Sequence, residues 1–211
     1  MRTLELFSGT QSFSKYIKQR YSADTVTVDI ISRFNPTHHI DILEWDYRIY
    51  PPHYFDIIWA SPPCTQYSVA KTQGIRDLEG ADTLVRKAFE IIDYFEPKQW
   101  ILENVGTGLL VTRMKDIRAC NMYIADYCAY GKSVRKRTAF WSNVKLELLT
   151  CPGKNTCPSI VNGRHISSVG NGLIEKPIKG ISRFEHRNSI PRELIEHIVR
   201  ELKEKSGVVQ Y

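Results

Sequence analysis

Apolar residues recur along this chain with two different periods, and the order in which the periods alternate outlines a fold. Through the first 145 positions, short runs rich in β-branched and aromatic residues alternate with longer stretches whose apolar positions return every three or four residues. The pattern predicts strands at Thr3–Phe7, Thr25–Asp29, His39–Ile42, Phe55–Ala60, Trp100–Glu103, Tyr123–Tyr127 and Thr138–Trp141, and helices over Thr10–Arg20 and Gly80–Phe95. Phe55–Ala60 is a near-continuous apolar run, as expected for a strand buried on both faces. In the second helix Leu84, Val85, Ala88, Phe89, Ile92 and Phe95 share one face. Alternating strands and helices imply an α/β fold, a largely parallel sheet flanked by helices.

Residues 146–186 lose this periodicity and are rich in Gly, Pro, Asn and Ser, so they read as a small loop-rich insert. Helical spacing then returns, with Ser189 as the cap, Pro191 near the first turn, and Leu194, Ile195, Ile198, Val199 and Leu202 on one face. The expected organisation is an α/β core over residues 1–145, an insert over 146–186, and a C-terminal helix within 187–211 packing back on the core.

Composition changes this picture little. With 42% hydrophobic and 25% charged residues in 211 positions, the chain can bury one sizeable core. No run approaches the ~20 apolar residues of a membrane span, and the opening MRTLELFSGT runs into a strand rather than reading as a signal peptide. Five cysteines, odd in number and sparse, fit an intracellular, reducing compartment. Charge is more informative. Residues 1–105 carry 11 Lys+Arg against 14 Asp+Glu, whereas residues 106–211 carry 18 against 9. That asymmetry suggests a second half facing a polyanion.

Candidate chemistry clusters at predicted strand ends. LELFSGT (residues 4–10) is a strand, a glycine-containing turn and a helix start, the place where α/β sheets take nucleotide-like ligands. A pyrophosphate cradle wants three glycines, and only Gly9 is present; S-adenosylmethionine carries no phosphate and tolerates the looser turn. Asp29 and Asp41, each after a successive strand, suit ribose hydroxyls and an adenine amino group, although each also reads as a solvated loop acid. Cys64 follows two prolines at the mouth of the most apolar strand, SPPCTQYS. A rigid loop suits a nucleophile that must approach a poor electrophile accurately, such as carbon 6 of a pyrimidine. A free thiol has a pKa of about 8.5, so such a site must supply positive charge; the alternative is a buried structural cysteine. Glu103, in WILENVGTG, is placed to hydrogen-bond the N3 and N4 edge of cytosine, or simply to cap a turn. Arg135 and Arg137, two apart before a strand, would project to one side and could favour the thiolate, position Glu103 or hold a phosphate; alone they read as a solvated basic turn.

In this order the motifs resemble those of the cytosine-5 DNA methyltransferases, over about residues 3–143 and 186–203. The resemblance implies a Rossmann-like mixed sheet and S-adenosyl-L-methionine as cofactor. It assigns Phe7, Ser8, Gly9, Thr10, Asp29, Asp41, Pro63 and Asn188 to cofactor binding, and Cys64, Glu103, Arg135 and Arg137 to catalysis. Phe7 would stack on adenine, and Asn188, in RNSIPRELI, would return to the cofactor beside the first strand. The wording WASPPCTQYSVAKTQG is most similar to the compact enzymes of iridoviruses and other large DNA viruses, which would imply action on viral DNA. Gln11 stands where the family has a second glycine, Ser133 where a glutamine opens the arginine motif, and Arg187 where glycine precedes Asn188. With only about 40 residues for target recognition, a short recognition sequence or little sequence selection is expected, and Lys145, Lys154, Arg164, Lys176, Lys179 and Arg183 would offer phosphate contacts. Double-stranded DNA is the expected partner, with neither a membrane nor a protein partner evident. A structured RNA substrate and a non-catalytic DNA-binding relative are the alternatives.

Cys151, Cys157 and His165 could ligate zinc, with Cys128 or His186 as a fourth ligand. The spacing CPGKNTCP is not that of a paired Cys-x-x-Cys knuckle, and only three ligands are local. The expectation is therefore reduced, non-ligating cysteines and no metal.

Overall fold

The computed structural model describes residues 1–166, Glu185 and residues 188–205. Seven of its strands form one sheet. In chain order these are β1 (Arg2–Leu6), β2 (Asp24–Asp29), β3 (His38–His39), β4 (Ile57–Ala60), β5 (Gln99–Val105), β6 (Asn121–Asp126) and β7 (Arg137–Ser142). The spatial order is β3-β2-β1-β4-β5-β7-β6. The first five are parallel, whereas β7 runs antiparallel between β5 and β6. A hairpin, β8 (Ile160–Val161) with β9 (Arg164–His165), forms a separate two-stranded sheet. The expected mixed α/β architecture is observed.

Period-2 alternation divides the strand residues between two cores. Leu4, Leu6, Ile58, Ala60, Leu102, Ala139 and Trp141 face one side, against Val85, Ala88, Phe89 and Ile92 of α2 (Leu78–Phe95) and Met114 of α3 (Leu110–Ile117). Ile57, Trp59, Ile101 and Phe140 face the other, against Phe13 and Ile17 of α1 (Ser12–Tyr21) and the apolar stripe of α4 (Arg192–Lys205). All four residues of β4 are buried, as its composition requires.

Differences from the sequence reading have local causes. The third strand is short and lies earlier than expected, because β2 ends at Asp29, whose carboxylate turns the chain by accepting from Ile31 N–H at 2.7 Å. The C-terminal helix starts at Arg192, and the Pro191 carbonyl takes its first hydrogen bonds, from Leu194 and Ile195. Helix α3 was not anticipated; its Leu110, Met114 and Ile117 have helical spacing, but in a run of eight residues behind two glycines the signal is weak. The expected insert is described only to Ile166, and Lys176, Lys179, Arg183, His186 and Arg187 lie outside the described residues. No helix among the described residues is long and apolar enough to cross a membrane.

Glu5 of β1 is buried beneath the start of α1, accepting from Phe13 N–H (3.4 Å) and Ser14 N–H (2.9 Å). Burial raises its pKa from the ordinary 4.5 to about 7, outweighing those hydrogen bonds. The folded state thus binds a proton that the unfolded chain has already lost. The stabilisation is complete below about pH 4.5 and is lost as pH rises through about 7. Urea titrations of wild type and Glu5→Gln should accordingly diverge between these limits, the variant gaining on the order of 3 kcal/mol relative to wild type at pH 8. A pH-independent difference would contradict the assignment.

Candidate active site

The carboxyl ends of β1, β2, β4 and β5 open on one cavity of about 390 Å³. Its first wall is the turn leaving β1. Phe7, Gly9 and Gln11 all have positive φ (54°, 43° and 58°), so two of the three bear a side chain in left-handed backbone. Tertiary bonds hold the turn: Gly9 N–H donates to Asp29 Oδ2 at 2.6 Å, Ser8 N–H to the Val28 carbonyl at 3.1 Å, and Gln11 Nε2 to the Phe34 carbonyl at 2.7 Å. Gln11 thus takes the conformation a glycine would adopt without strain, and anchors it with its side-chain amide.

The second wall is the loop after β4. Ser61 N–H donates to the Leu6 carbonyl (3.1 Å), and the Cys64 carbonyl accepts from Tyr67 and Ser68 N–H (3.0 and 2.8 Å). Asn104 Nδ2, almost fully buried, donates to the Pro62 carbonyl at 2.9 Å and clamps the loop to β5. Further out, Tyr67 Oη donates to Asp82 Oδ1 at 2.8 Å, and Arg113 pairs with the same carboxylate, tying the loop to α2 and α3. Close approach also sets Gly106 and Gly108. A Cβ on Gly106 would lie 3.1 Å from backbone of Thr138, and one on Gly108 would lie 3.1 Å from the Tyr67 carbonyl.

The third wall departs from expectation. Neither Arg135 nor Arg137 lines the cavity. Their guanidinium groups lie 3.5 Å from the two oxygens of Asp126, a fully buried carboxylate at the end of β6. Lys136, between them, points the other way, with Nζ 3.9 Å from Glu103 Oε1 and 3.5 Å from Tyr127 Oη. Register explains the reversal: Arg137 pairs across from Asp126, and successive side chains at this strand start alternate in direction. Burial alone would lower the Lys136 pKa. The fields of Tyr127, Glu103 and Cys64 outweigh it and hold the ammonium well above its usual range.

The cavity therefore gathers Phe7, Ser8, Gly9, Thr10, Asp29, Asp41, Pro63, Cys64, Glu103 and Asn188 of the expected residues, and adds Lys136 and Asn104. Ser8 Oγ is buried there with no hydrogen-bond partner among the described residues. Asp29 and Asp41 stand at successive strand ends, and Phe7, Ile31 and Leu84 are apolar lining. This donor set fits an adenosyl amino acid: acids for hydroxyls, apolar side chains for a base, and an unpaired hydroxyl for a carboxylate. Lys136 and Asn104 escape the sequence because a lysine flanked by arginines reads as solvated, and an asparagine beside a candidate acid carries no pattern of its own.

The family model described as C-5 cytosine-specific DNA methylase matches residues 1–122. A probable DNA (cytosine-5)-methyltransferase of Frog virus 3 (isolate Goorha) is 40% identical, over 76% of this chain and 79% of that protein. Among solved structures, the Entamoeba histolytica methyltransferase EhMeth superposes with a TM-score of 0.64 over 98% of both chains at 11% identity. A putative DNA modification methyltransferase from an Escherichia coli prophage superposes at 0.51 with 18% identity, over 67% of this chain and 46% of that one. At such identities these two establish the fold.

Asn104→Ala would leave the Pro62 carbonyl without its donor in a buried setting. The expected cost is about 1–3 kcal/mol of unfolding free energy by urea titration. A larger loss in kcat than in KM is expected alongside, since the loop bearing Cys64 loosens.

Proposed function

Because the chain belongs to the C-5 cytosine-specific DNA methylases, its reaction is methylation of carbon 5 of cytosine in DNA, and we propose that Cys64, Glu103 and Lys136 carry it out with S-adenosyl-L-methionine bound in the adjoining half of the cavity. One observation carries this reading: a single cavity is lined by the thiol, the carboxyl and the ammonium on one side and by the β1 turn, Asp29, Asp41 and Asn188 on the other.

Phe7 and the neighbouring apolar residues would receive the adenine, Asp29 and Asp41 the ribose hydroxyls and adenine amine, and Ser8 the amino-acid end. Both Asp29 oxygens already accept a backbone N–H, but each retains a second lone-pair direction. Bound there, the cofactor supplies an electrophilic methyl group. The substrate is duplex DNA, from which the target cytosine rotates into the cavity at a cost of a few kcal/mol. The Cys64 thiolate adds to carbon 6, while Glu103 holds the N3 and N4 edge and limits charge build-up on the ring. Carbon 5 thereby becomes nucleophilic and is methylated. Transfer of its proton to a water molecule and departure of the Cys64 sulfur as thiolate then restore the aromatic ring. Lys136 offsets negative charge on the sulfur and on Glu103 from within a site largely closed to water. Arg135 and Arg137, 45% and 37% exposed, stand at the outer face and hold a phosphate of the rotated nucleotide, joined by the exposed Lys154 and Arg164.

Cys64→Ser should abolish methyl transfer, and wild type incubated with 5-fluorocytosine duplex and cofactor should yield an adduct stable to denaturation. Methylation without adduct would overturn the covalent route, and transfer to tRNA in preference to duplex DNA would overturn the substrate. Lys136→Met is expected to lower kcat by roughly 100-fold or more and to move the acidic limb of the kcat/KM profile to higher pH, since the thiolate loses its cation. An unshifted limb would remove Lys136 from this role.

A further inference from the structure

We infer that Cys128, Cys151, Cys157 and His165 form a zinc site that pins the insert to the α/β core. Their ligand atoms all lie within 4.8 Å of one another. Cys151 Sγ and Cys157 Sγ stand 3.4 and 3.6 Å from His165 Nε2. A tetrahedral zinc with bonds of about 2.3 Å to sulfur and about 2.05 Å to nitrogen requires separations of about 3.6 Å for S···N and about 3.8 Å for S···S. Three thiolates and an imidazole are a donor set zinc accepts readily. Four protein ligands leave no open position, so the site is structural.

Independent features of the backbone converge on the same point. Gly153 (φ 99°) lets the chain double back, its carbonyl accepting from Cys157 N–H at 3.0 Å, which brings Cys157 round to Cys151. Asn162 and Gly163, both at positive φ, turn the β8–β9 hairpin and carry His165 back beside Ile160. Cys128 comes from the 3-10 turn Tyr127–Tyr130 after β6, and Cys151 N–H donates to Asp126 Oδ2 at 2.9 Å, so the cluster straddles the join between insert and sheet. This segment has little else to hold it. Of residues 146–166 only Leu146, Cys157 and Ser159 are buried, too few for a core, which is the situation in which small folds rely on a metal. Three thiolates around a divalent ion leave one net negative charge, and Arg135 is near enough to act on Cys151 and His165. The local spacing leaves the fourth ligand undecided; Cys128 Sγ lies within 4.8 Å of the other three ligand atoms.

The full chain, produced with zinc in the medium and purified without chelator, should contain about one zinc per molecule by plasma mass spectrometry. Cys120→Ser, outside the cluster, should keep it, and Cys157→Ser and His165→Ala should lose it. A ligand variant that fails to fold would lose metal too, so His165→Cys supplies a second arm. It should retain one equivalent, and the thiolate-to-cobalt absorption of its cobalt form should grow by about one third, four thiolates replacing three. In the native zinc form only Cys64 and Cys120 should react with a thiol reagent, and chelator plus denaturant should release all five thiols. The inference fails if reduced wild-type chain carries no zinc and takes none up on titration, or if the unreduced, denatured chain yields three thiols because two have paired.

Discussion

An ammonium group largely withdrawn from water, Lys136, is held against Glu103 by the antiparallel pairing of β7 with β5. The carboxyl lies at the end of a buried parallel strand, and the cation enters from the one strand that runs the other way. Were β7 parallel, the segment before it would lie at the opposite edge of the sheet. Separated, either charge would be left poorly solvated in the interior; together, and with the Tyr127 hydroxyl beside them, they form a fixed field directed at the Cys64 thiol.

The loop bearing Cys64 and the β1 turn owe their shape to bonds from outside themselves. Asn104 reaches from β5 to the Pro62 carbonyl, and Asp29 reaches from β2 to Gly9 N–H. Both are buried polar groups whose partners are backbone, so each restrains a loop without a flexible intermediary. Left-handed backbone at Phe7 and Gln11 persists because neighbouring strands over-determine it. The departure at Gln11 is therefore compatible with a formed cofactor turn: the side chain that brings the strain also contributes the bond to Phe34.

Asp126 links the site to the insert. Its fully buried carboxylate faces Arg135 and Arg137 and accepts from Cys151 N–H, while its own N–H donates to the Leu149 carbonyl. Whatever holds the insert in place thus also sets the arginine pair at the outer face. The described part of the insert, residues 146–166, buries only Leu146, Cys157 and Ser159, and takes its position from the sheet it is fastened to rather than from a core of its own.

By itself the sequence determined the alternation of strands and helices, the mixed α/β class, the cysteine loop, the carboxyl strand end and the order of the motifs, because all of these are written in local periodicity and in residues close along the chain. Boundaries slipped where a partner ended, as at β3, or where a carbonyl two residues on took the first helical bonds, as at Pro191. Only the tertiary structure decided which of three consecutive basic residues enters the cavity. Strand register assigns each side chain to a face, and a shift of one residue would have exchanged Lys136 for the arginines. Only the tertiary structure, too, brought Cys128 to Cys151, Cys157 and His165. Ligand geometry depends on distances between segments far apart in the chain, and no local spacing encodes those.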